Sequence, residues 1–179
     1  FYPRAFYRSV DDFIQGAPAT DPVVRRFAGM MAGMGAPDPL LFSNTRARFY
    51  GMDVEATLDI SHQWRLRGIA SIVRAERRDI DDDLYRIAPD NLMLAVEYRQ
   101  GGWTGTLEGI HYARQDRVAA TQGETATGSY SLLNASARWR LSRDLELAVG
   151  VNNLLDKAYA DHLAGYNRAF NPNLALLQR

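Results

Sequence analysis

The sequence contains no cysteine. This absence excludes disulfide bonds, thiolate metal sites and cysteine nucleophiles together. The sequence also has no run of about 18 consecutive apolar residues, which is the length that a transmembrane helix requires. A membrane-spanning β-barrel is compatible with that second absence, because only every second residue of a barrel strand faces lipid.

A surplus of charge is missing as well. The 21 Lys and Arg residues equal the 21 Asp and Glu residues, so the formal net charge of the 179 residues is zero. This balance does not favour nucleic acid or an anionic membrane surface as a partner. We therefore expect no nucleic-acid partner, and other partners have to be inferred from residue patterns.

The first residues do not have the pattern of a signal peptide. The segment FYPRAFYRSVDDF has no initial methionine, and it mixes arginines with aromatic residues instead of forming a continuous apolar core. We expect residues 1–179 to be one internal part of a longer protein.

The strongest positive signal is an alternation of apolar and polar residues, which is typical of β-strands. In YGMDVEATLDI, Tyr50, Met52, Val54, Ala56, Leu58 and Ile60 share one face, while Asp53, Glu55 and Asp59 lie on the other. The alternation returns over 64–72, 91–99, 133–141 and 145–152, and more weakly over 103–114. Each segment predicts one long strand with a polar face.

The connections between these segments differ in length. Tight turns are predicted near 61–63, 100–102 and 142–144, whereas 16–43, 76–90, 115–129 and the residues from 156 onward form long connections. Short turns at one end and long loops at the other indicate an antiparallel up-and-down meander.

The predicted strands are also long, and aromatic residues lie near their ends. They run for about 10 residues, as a tilted membrane-spanning strand requires. The aromatic residues are Tyr50, Trp64, Tyr98, Trp103, Tyr130 and Trp139, and such rings suit the lipid headgroup region. The fold class is therefore predicted to be an all-β transmembrane barrel, with a soluble antiparallel sandwich as the alternative.

Three segments resemble TonB-dependent outer-membrane receptors. LELAVGVNNLLDKAYADHL is similar to the penultimate strand of that family through Gly150, Val151, Asn153, Leu154, Asp156 and Tyr159, with Leu155 where Phe is common. AFYRSVDDFIQG carries Asp12, Phe13 and Ile14 of an earlier barrel strand, and NTRARFYGMDVEA carries Asn44, Ala47, Gly51 and Glu55 of the next. Together they cover most of the chain.

The resemblance implies a barrel of twenty-two strands in the outer membrane of a Gram-negative bacterium. Such receptors are plugged by an N-terminal domain and import scarce nutrients with energy from the TonB complex. The chain is then expected to supply about seven C-terminal strands, without the plug, the TonB-contacting segment or the final strand. Its implied partners are the TonB complex, outer-membrane lipid and a metal chelate.

The end of the last predicted strand, around Asn153 and Asp156, is interpreted as a structural corner. Asn153 and Asp156 can bond backbone groups where a strand leaves the sheet, because Asx side chains favour turns. Leu154 and Leu155 are expected to pack under the bend.

Two residue clusters have side chains that can bind metal ions. Met30, Met31 and Met34 could offer thioether ligands to cuprous copper, although methionines in a loop also pack on neighbouring loops. The acidic run RRDIDDDLY has Leu84 where a calcium-binding EF-hand needs glycine, so it is interpreted as a solvated loop.

Ligand contact is predicted after the last strand. His162, Tyr159, Tyr166 and Arg168 are the candidates for contacting an anionic iron chelate or a haem edge. The alternative for His162 is that it packs between loops. His62 and His111 show no paired helical spacing of metal ligands.

No catalytic motif is visible, so we expect no enzyme activity and no cofactor. The polar strand faces would line the lumen and meet the plug domain through Asp53, Glu55, Arg65, Arg67, Glu97, Arg99, Glu108, Arg138 and Arg140. The predicted function is TonB-dependent import of a metal chelate, with a ferric siderophore as the first candidate. The alternatives are a copper or haem receptor of the same family, or an outer-membrane barrel acting as a pore or an enzyme.

Overall fold

A computed structural model describes residues 1–19, 21–32 and 40–165. It has one helix, α1 (Pro22–Ala32), and seven strands. The strands are β1 (Tyr2–Pro18), β2 (Leu40–Asp59), β3 (Trp64–Arg77), β4 (Asn91–Gln100), β5 (Trp103–Tyr112), β6 (Tyr130–Arg140) and β7 (Glu146–Val151). Short 3-10 helices cover Ala120–Gln122 and His162–Ala164. None of the helices in this part of the chain is long and apolar enough to span a membrane.

The strands form one sheet in sequence order, and every neighbouring pair is antiparallel. The predicted up-and-down meander of about seven strands is confirmed. Its rhythm of connections is also confirmed, since tight turns join β2 to β3, β4 to β5 and β6 to β7, whereas long loops join β3 to β4 and β5 to β6.

The register places apolar residues on one face of the sheet and mostly polar residues on the other, as the alternation predicts. One apolar row runs through Leu58, Leu66, Val96, Leu107, Ala135 and Val151. The neighbouring row on the other face runs through Asp59, Arg65, Glu97, Thr106, Ser136 and Gly150. Residues paired directly across antiparallel strands share a face, so we call these surfaces the apolar face and the polar face.

The polar face also carries an apolar row that the alternation did not predict. Ile69, Met93, Ile110 and Leu132 lie opposite one another across β3 to β6. The polar face is therefore a mixed surface rather than a uniformly charged one.

Aromatic residues gather at the tight-turn end of the apolar face. Trp64 and Tyr98 have ring centroids 4.7 Å apart, and Trp103 lies directly opposite Trp139 in the register. This row marks one border of the apolar face.

The long connection predicted over 16–43 is present, but it is shorter than predicted and contains a helix. β1 continues to Pro18, β2 begins at Leu40, and α1 lies between them. Asp21 caps the helix by accepting hydrogen bonds from the backbone N–H groups of Val23 (2.7 Å) and Val24 (3.3 Å). Asp21 followed by Pro22 at the first helical position is a helix-start signal. A search for alternation alone does not detect this signal.

The most compact packing lies at the long-loop end of the polar face. Buried Ala47, Ala75 and Leu84 form a small core, on which Phe13, Phe49 and Ile87 pack. The small alanines leave room for Leu84, so the β3–β4 loop folds back onto the sheet. This packing positions the loops described next.

Candidate functional site

Three segments meet at the long-loop end of the polar face: 78–90, 113–129 and 152–165. Asp82 joins the first to the second, since its carboxylate accepts hydrogen bonds from the backbone N–H groups of Ala120 (2.8 Å) and Thr121 (3.1 Å). The same carboxylate accepts a bond from the Thr121 hydroxyl at 2.5 Å. Asp82 thereby caps the 3-10 helix of the second segment.

Glu124 is the central group of this three-loop assembly. Its Oε1 accepts a hydrogen bond from the Arg86 backbone N–H at 3.0 Å, and its Oε2 accepts one from Ala119 at 2.8 Å. The residue is only 8% exposed. Buried polar groups are costly unless hydrogen-bonded, so this carboxylate fixes both segments at once.

His162 brings in the third segment. It is 5% exposed, and its Nδ1 lies 3.2 Å from the hydroxyl of Thr127. Its Nε2 lies 3.2 Å from Oε1 of Glu124, but the angles are outside hydrogen-bond geometry. His162 thus contacts Glu124 without forming a hydrogen bond to it, and His162 packs between loops.

A stack of tyrosines continues from the sheet into the same segment. The ring centroids of Tyr112 and Tyr130 are 4.8 Å apart, and those of Tyr130 and Tyr159 are 4.5 Å apart. Tyr130 is buried, whereas Tyr159 is 46% exposed. Tyr159 thus forms the accessible end of the stack.

Exposed cations lie on the first two segments. Arg86, Arg114 and Arg117 are all exposed. The guanidinium of Arg86 lies 5.3 Å from the ring centroid of Tyr85. Guanidinium groups are suited to binding anions through charge-assisted hydrogen bonds.

Two carboxylates of the 78–90 segment have shifted pKa values in opposite directions. The bidentate hydrogen bonds from Arg74, at 2.5 and 2.7 Å, hold the pKa of Asp90 below its usual range. Burial raises the pKa of Asp83. Asp90 therefore anchors the loop as an anion, while the charge of Asp83 opposes the folded loop.

The interpretation of Asn153 and Asp156 as a corner agrees with the backbone. Both have left-handed conformations, with φ angles of 52° and 48°. The side chain of Asn153 donates to the carbonyl of Lys157 at 3.0 Å and accepts from its N–H at 2.9 Å. Leu154 and Leu155 do not pack under the bend, because they are 49% and 69% exposed.

The predicted ligand-contacting residues are only partly described by the structure. It brings Tyr159 and His162 together in the three-loop assembly, whereas Tyr166 and Arg168 lie outside the described residues. Met30 is 70% exposed on α1, Met31 belongs to the same helix, and Met34 lies outside the described residues.

The acidic run is held by its own chain. Asp79 accepts a hydrogen bond from Arg77 at 2.5 Å, and Asp82 caps the 3-10 helix. No group of three or more His, Cys, Asp or Glu residues placed to hold a metal ion occurs in 1–19, 21–32 or 40–165.

Sequence reasoning missed Glu124, Asp82 and the tyrosine stack. Glu124 and Asp82 lie in loops without periodicity. Each accepts a hydrogen bond from a backbone N–H group that is 38 residues away, Arg86 for Glu124 and Ala120 for Asp82. The pairing of Tyr112 with Tyr130 follows from the register of two predicted strands and was the one available signal.

Comparison with known proteins identifies a family and several structures with a similar fold. A family model described as "TonB dependent receptor-like, beta-barrel" matches residues 4–154. No curated protein matches the chain.

Several solved structures share the fold. One titled "Copper transporter OprC" has a TM-score of 0.76 and 21% identity, covering 92% of this chain and 26% of that one. The ferripyoverdine receptor of the outer membrane of Pseudomonas aeruginosa has a TM-score of 0.59 and 15% identity, covering 88% and 21%. The FpvAI–pyocin S2 complex gives 0.56 and 15%, covering 87% and 20%. The chain thus spans about a quarter or less of these proteins.

Proposed function

The chain belongs to the TonB-dependent receptor family of β-barrels, and on that basis we propose that the complete protein imports a metal chelate across the outer membrane of a Gram-negative bacterium. Energy would reach it through the TonB complex. Since the chain spans only part of the similar structures, the import activity concerns the whole receptor. The apolar face would contact outer-membrane lipid.

The observation that supports this proposal best is the three-loop assembly around Glu124. Hydrogen bonds to the carboxylates of Glu124 and Asp82 hold 78–90 and 113–129 together, so their exposed groups are fixed before a ligand arrives. Preorganised binding groups lose less entropy on binding than flexible ones. The assembly presents the Tyr159 ring and three exposed arginines, which suit an anionic chelate.

We take a ferric siderophore as the substrate. Tyr159, Tyr166 and Arg168 remain the proposed contacts, because phenol and guanidinium groups donate hydrogen bonds to anionic oxygens. Contact between His162 and the chelate also stays a prediction. The burial of His162 supports the additional role of holding the segment that carries Tyr159.

The test uses the full-length receptor in a Gram-negative strain that lacks other iron receptors. Uptake of iron supplied as ferric siderophores is measured with and without a functional TonB complex. We expect uptake that requires TonB and that falls when Tyr159 and Arg168 are both changed to alanine. Uptake that persists without TonB would contradict active import and favour a pore. Turnover of the chelate without uptake would favour an enzyme.

Copper is the second candidate. Met30 is exposed on α1, thioethers are soft ligands that select cuprous copper, and one structure of the same fold is titled a copper transporter. Changing Met30, Met31 and Met34 together to leucine preserves size and removes the sulfur ligands. Loss of copper uptake with unchanged ferric-siderophore uptake would identify copper as a substrate. Uptake of haem, the remaining alternative substrate, is measured in the same assay.

A further inference from the structure

A groove crosses the apolar face near its long-loop end. Its volume is about 350 Å³. Its walls include Leu92 and Leu94 of β4, Leu133 of β6 and Leu155 beyond β7, and Gly109 of β5 lies between them. Leu155 belongs to the 152–165 segment of the three-loop assembly, whereas the other residues lie outside its three segments.

Gly109 makes the groove concave. The register places Gly109 between Leu94 and Leu133, and a Cβ atom added to Gly109 would meet nothing within 4 Å. Gly105, on the same face of β5, differs because the Trp103 ring lies 2.7 Å from the position of its Cβ. The apolar face is therefore filled near the tight turns and open at Gly109.

One end of the groove is polar. In the row beyond Gly109, His111 lies between Leu92 and Ser131. Nδ1 of His111 is 2.8 Å from the hydroxyl of Ser131. Within the part of the chain that the structure describes, Nε2 of His111 has no hydrogen-bond partner. A polar group that faces hydrocarbon is costly without such a partner.

The position of this pair along β5 places it near a membrane boundary. Trp103 belongs to the aromatic row at the tight-turn end, and His111 follows eight residues later. At about 3.3 Å per residue this separation is about 26 Å along the strand. At a strand tilt of about 40° it is about 20 Å along the membrane normal, within an apolar band that is about 25 Å tall. The groove thus occupies the half of the band nearest the long loops.

We propose that this groove binds one acyl chain of a lipopolysaccharide molecule, with the His111–Ser131 pair hydrogen-bonded to a hydroxyl or ester oxygen of that chain. The groove is continuous with the apolar rows that would contact lipid, which favours an acyl chain over a folded partner. Lipopolysaccharide forms the outer leaflet, on the long-loop side, and its acyl chains carry hydroxyl groups. The inference rests on the membrane orientation and is independent of the imported substrate.

The test measures lipopolysaccharide binding to the delipidated full-length receptor in detergent micelles by native mass spectrometry. Gly109→Leu places a side chain at the open position, where its Cβ atom meets nothing within 4 Å. It should weaken binding about tenfold, because it displaces part of the acyl chain. Gly128→Leu is the matched control, since a Cβ there also meets nothing within 4 Å, and it should bind as the wild type. Heat-modifiable migration checks that each variant is folded.

A second variant keeps the test decisive if Gly109→Leu does not fold. Leu155→Ser lies outside the sheet and is already 69% exposed, and it should also weaken lipopolysaccharide binding. If a folded groove variant, either Gly109→Leu or Leu155→Ser, binds lipopolysaccharide as tightly as the wild type, the proposal is overturned. Preference of the wild type for phospholipid would overturn the assignment to lipopolysaccharide. If the receptor forms a dimer and Gly109→Leu dissociates it, the proposal is overturned, and the occupant of the groove is a second copy of the receptor.

Discussion

At the scale of single residues, the loops are held by two carboxylates, the buried Glu124 and the partly buried Asp82, rather than by a large apolar core. Glu124 accepts hydrogen bonds from two backbone N–H groups of different loops, and Asp82 accepts from two more. Each bond is modest by itself, but a buried donor left without an acceptor is expensive. Replacing one of these carboxylates should therefore open a whole loop.

Replacement of Glu124 by alanine should destabilise the three-loop assembly. The backbone N–H groups of Arg86 and Ala119 would lose their acceptors, at a cost of about 2 kcal/mol or more. Hydrogen-exchange mass spectrometry of the full receptor should show faster exchange in 78–90 and 113–129, with the strands unchanged. Asp116→Ala is the control, because that carboxylate is 67% exposed and lies 3.8 Å from Arg114. Equal effects of the two variants would contradict the central role of Glu124.

The stability of the 78–90 loop should respond to pH through Asp83 and Asp90. The raised pKa of Asp83 means that the folded loop binds its proton more tightly. Its charge therefore lowers loop stability as pH rises from about 3.9, the unfolded pKa, through the raised folded pKa. The lowered pKa of Asp90 has the opposite sign, because its contribution is present above about pH 3.9 and is lost as pH falls through the folded pKa.

The two asparagine variants separate these effects. At neutral pH, Asp83→Asn should slow hydrogen exchange of the loop, while Asp90→Asn should accelerate it by weakening the bond to Arg74. Exchange rates are corrected for the intrinsic effect of pH. Both differences from the wild type should shrink at acidic pH. A destabilising Asp83→Asn variant at neutral pH would show that its carboxylate makes a favourable contact.

At the scale of elements, each strand separates two surfaces by its alternation. β5 places Leu107 on the apolar face, opposite Val96 and Ala135, and Thr106 on the polar face, opposite Glu97 and Ser136. The helix α1 shows the limit of this rule, because it lies between two strands whose alternation does not extend into it. A local capping signal at Asp21 decides that segment instead.

Arginine at these two positions should have unequal effects. Leu107→Arg would place a charge toward hydrocarbon and should cost about 2 to 4 kcal/mol near the midplane. Thr106→Arg, one residue away, would face the lumen and should cost clearly less. The measurement is urea-dependent folding of the full receptor into lipid bilayers. Equal losses in the two variants would refute the assignment of the apolar face to lipid.

At the scale of the whole molecule, the two ends of the sheet differ. Its tight turns lie at one end, and its long loops, with the three-loop assembly, lie at the other. Within the described residues β1 and β7 are the two edges of the sheet. An edge exposed to hydrocarbon would leave backbone groups unpaired, so a closed barrel requires further strands from the complete receptor.

The long loops are expected to be extracellular and the tight turns periplasmic. In intact cells, a cysteine introduced at Gly128 in the β5–β6 loop should react with a membrane-impermeant reagent. A cysteine introduced at Arg143 in the exposed β6–β7 turn should react only after the outer membrane is permeabilised. The reverse pattern would invert the proposed topology and would place the three-loop assembly away from the outside medium.

The alternation in the sequence determined the strands β2 to β7 and their apolar face, and the Asx residues determined the corner at Asn153. These features depend on neighbours two residues apart or on a side chain bonding its own backbone, and such signals are local. The lengths of the connections indicated the up-and-down order of the strands. The tertiary structure alone decided that Leu84 folds back onto Ala47 and Ala75, and that Glu124 joins the three loops. It also decided that Gly109 stays open while Trp103 covers Gly105. Those contacts depend on which loops and rings meet in space, and residue order in the sequence does not specify that.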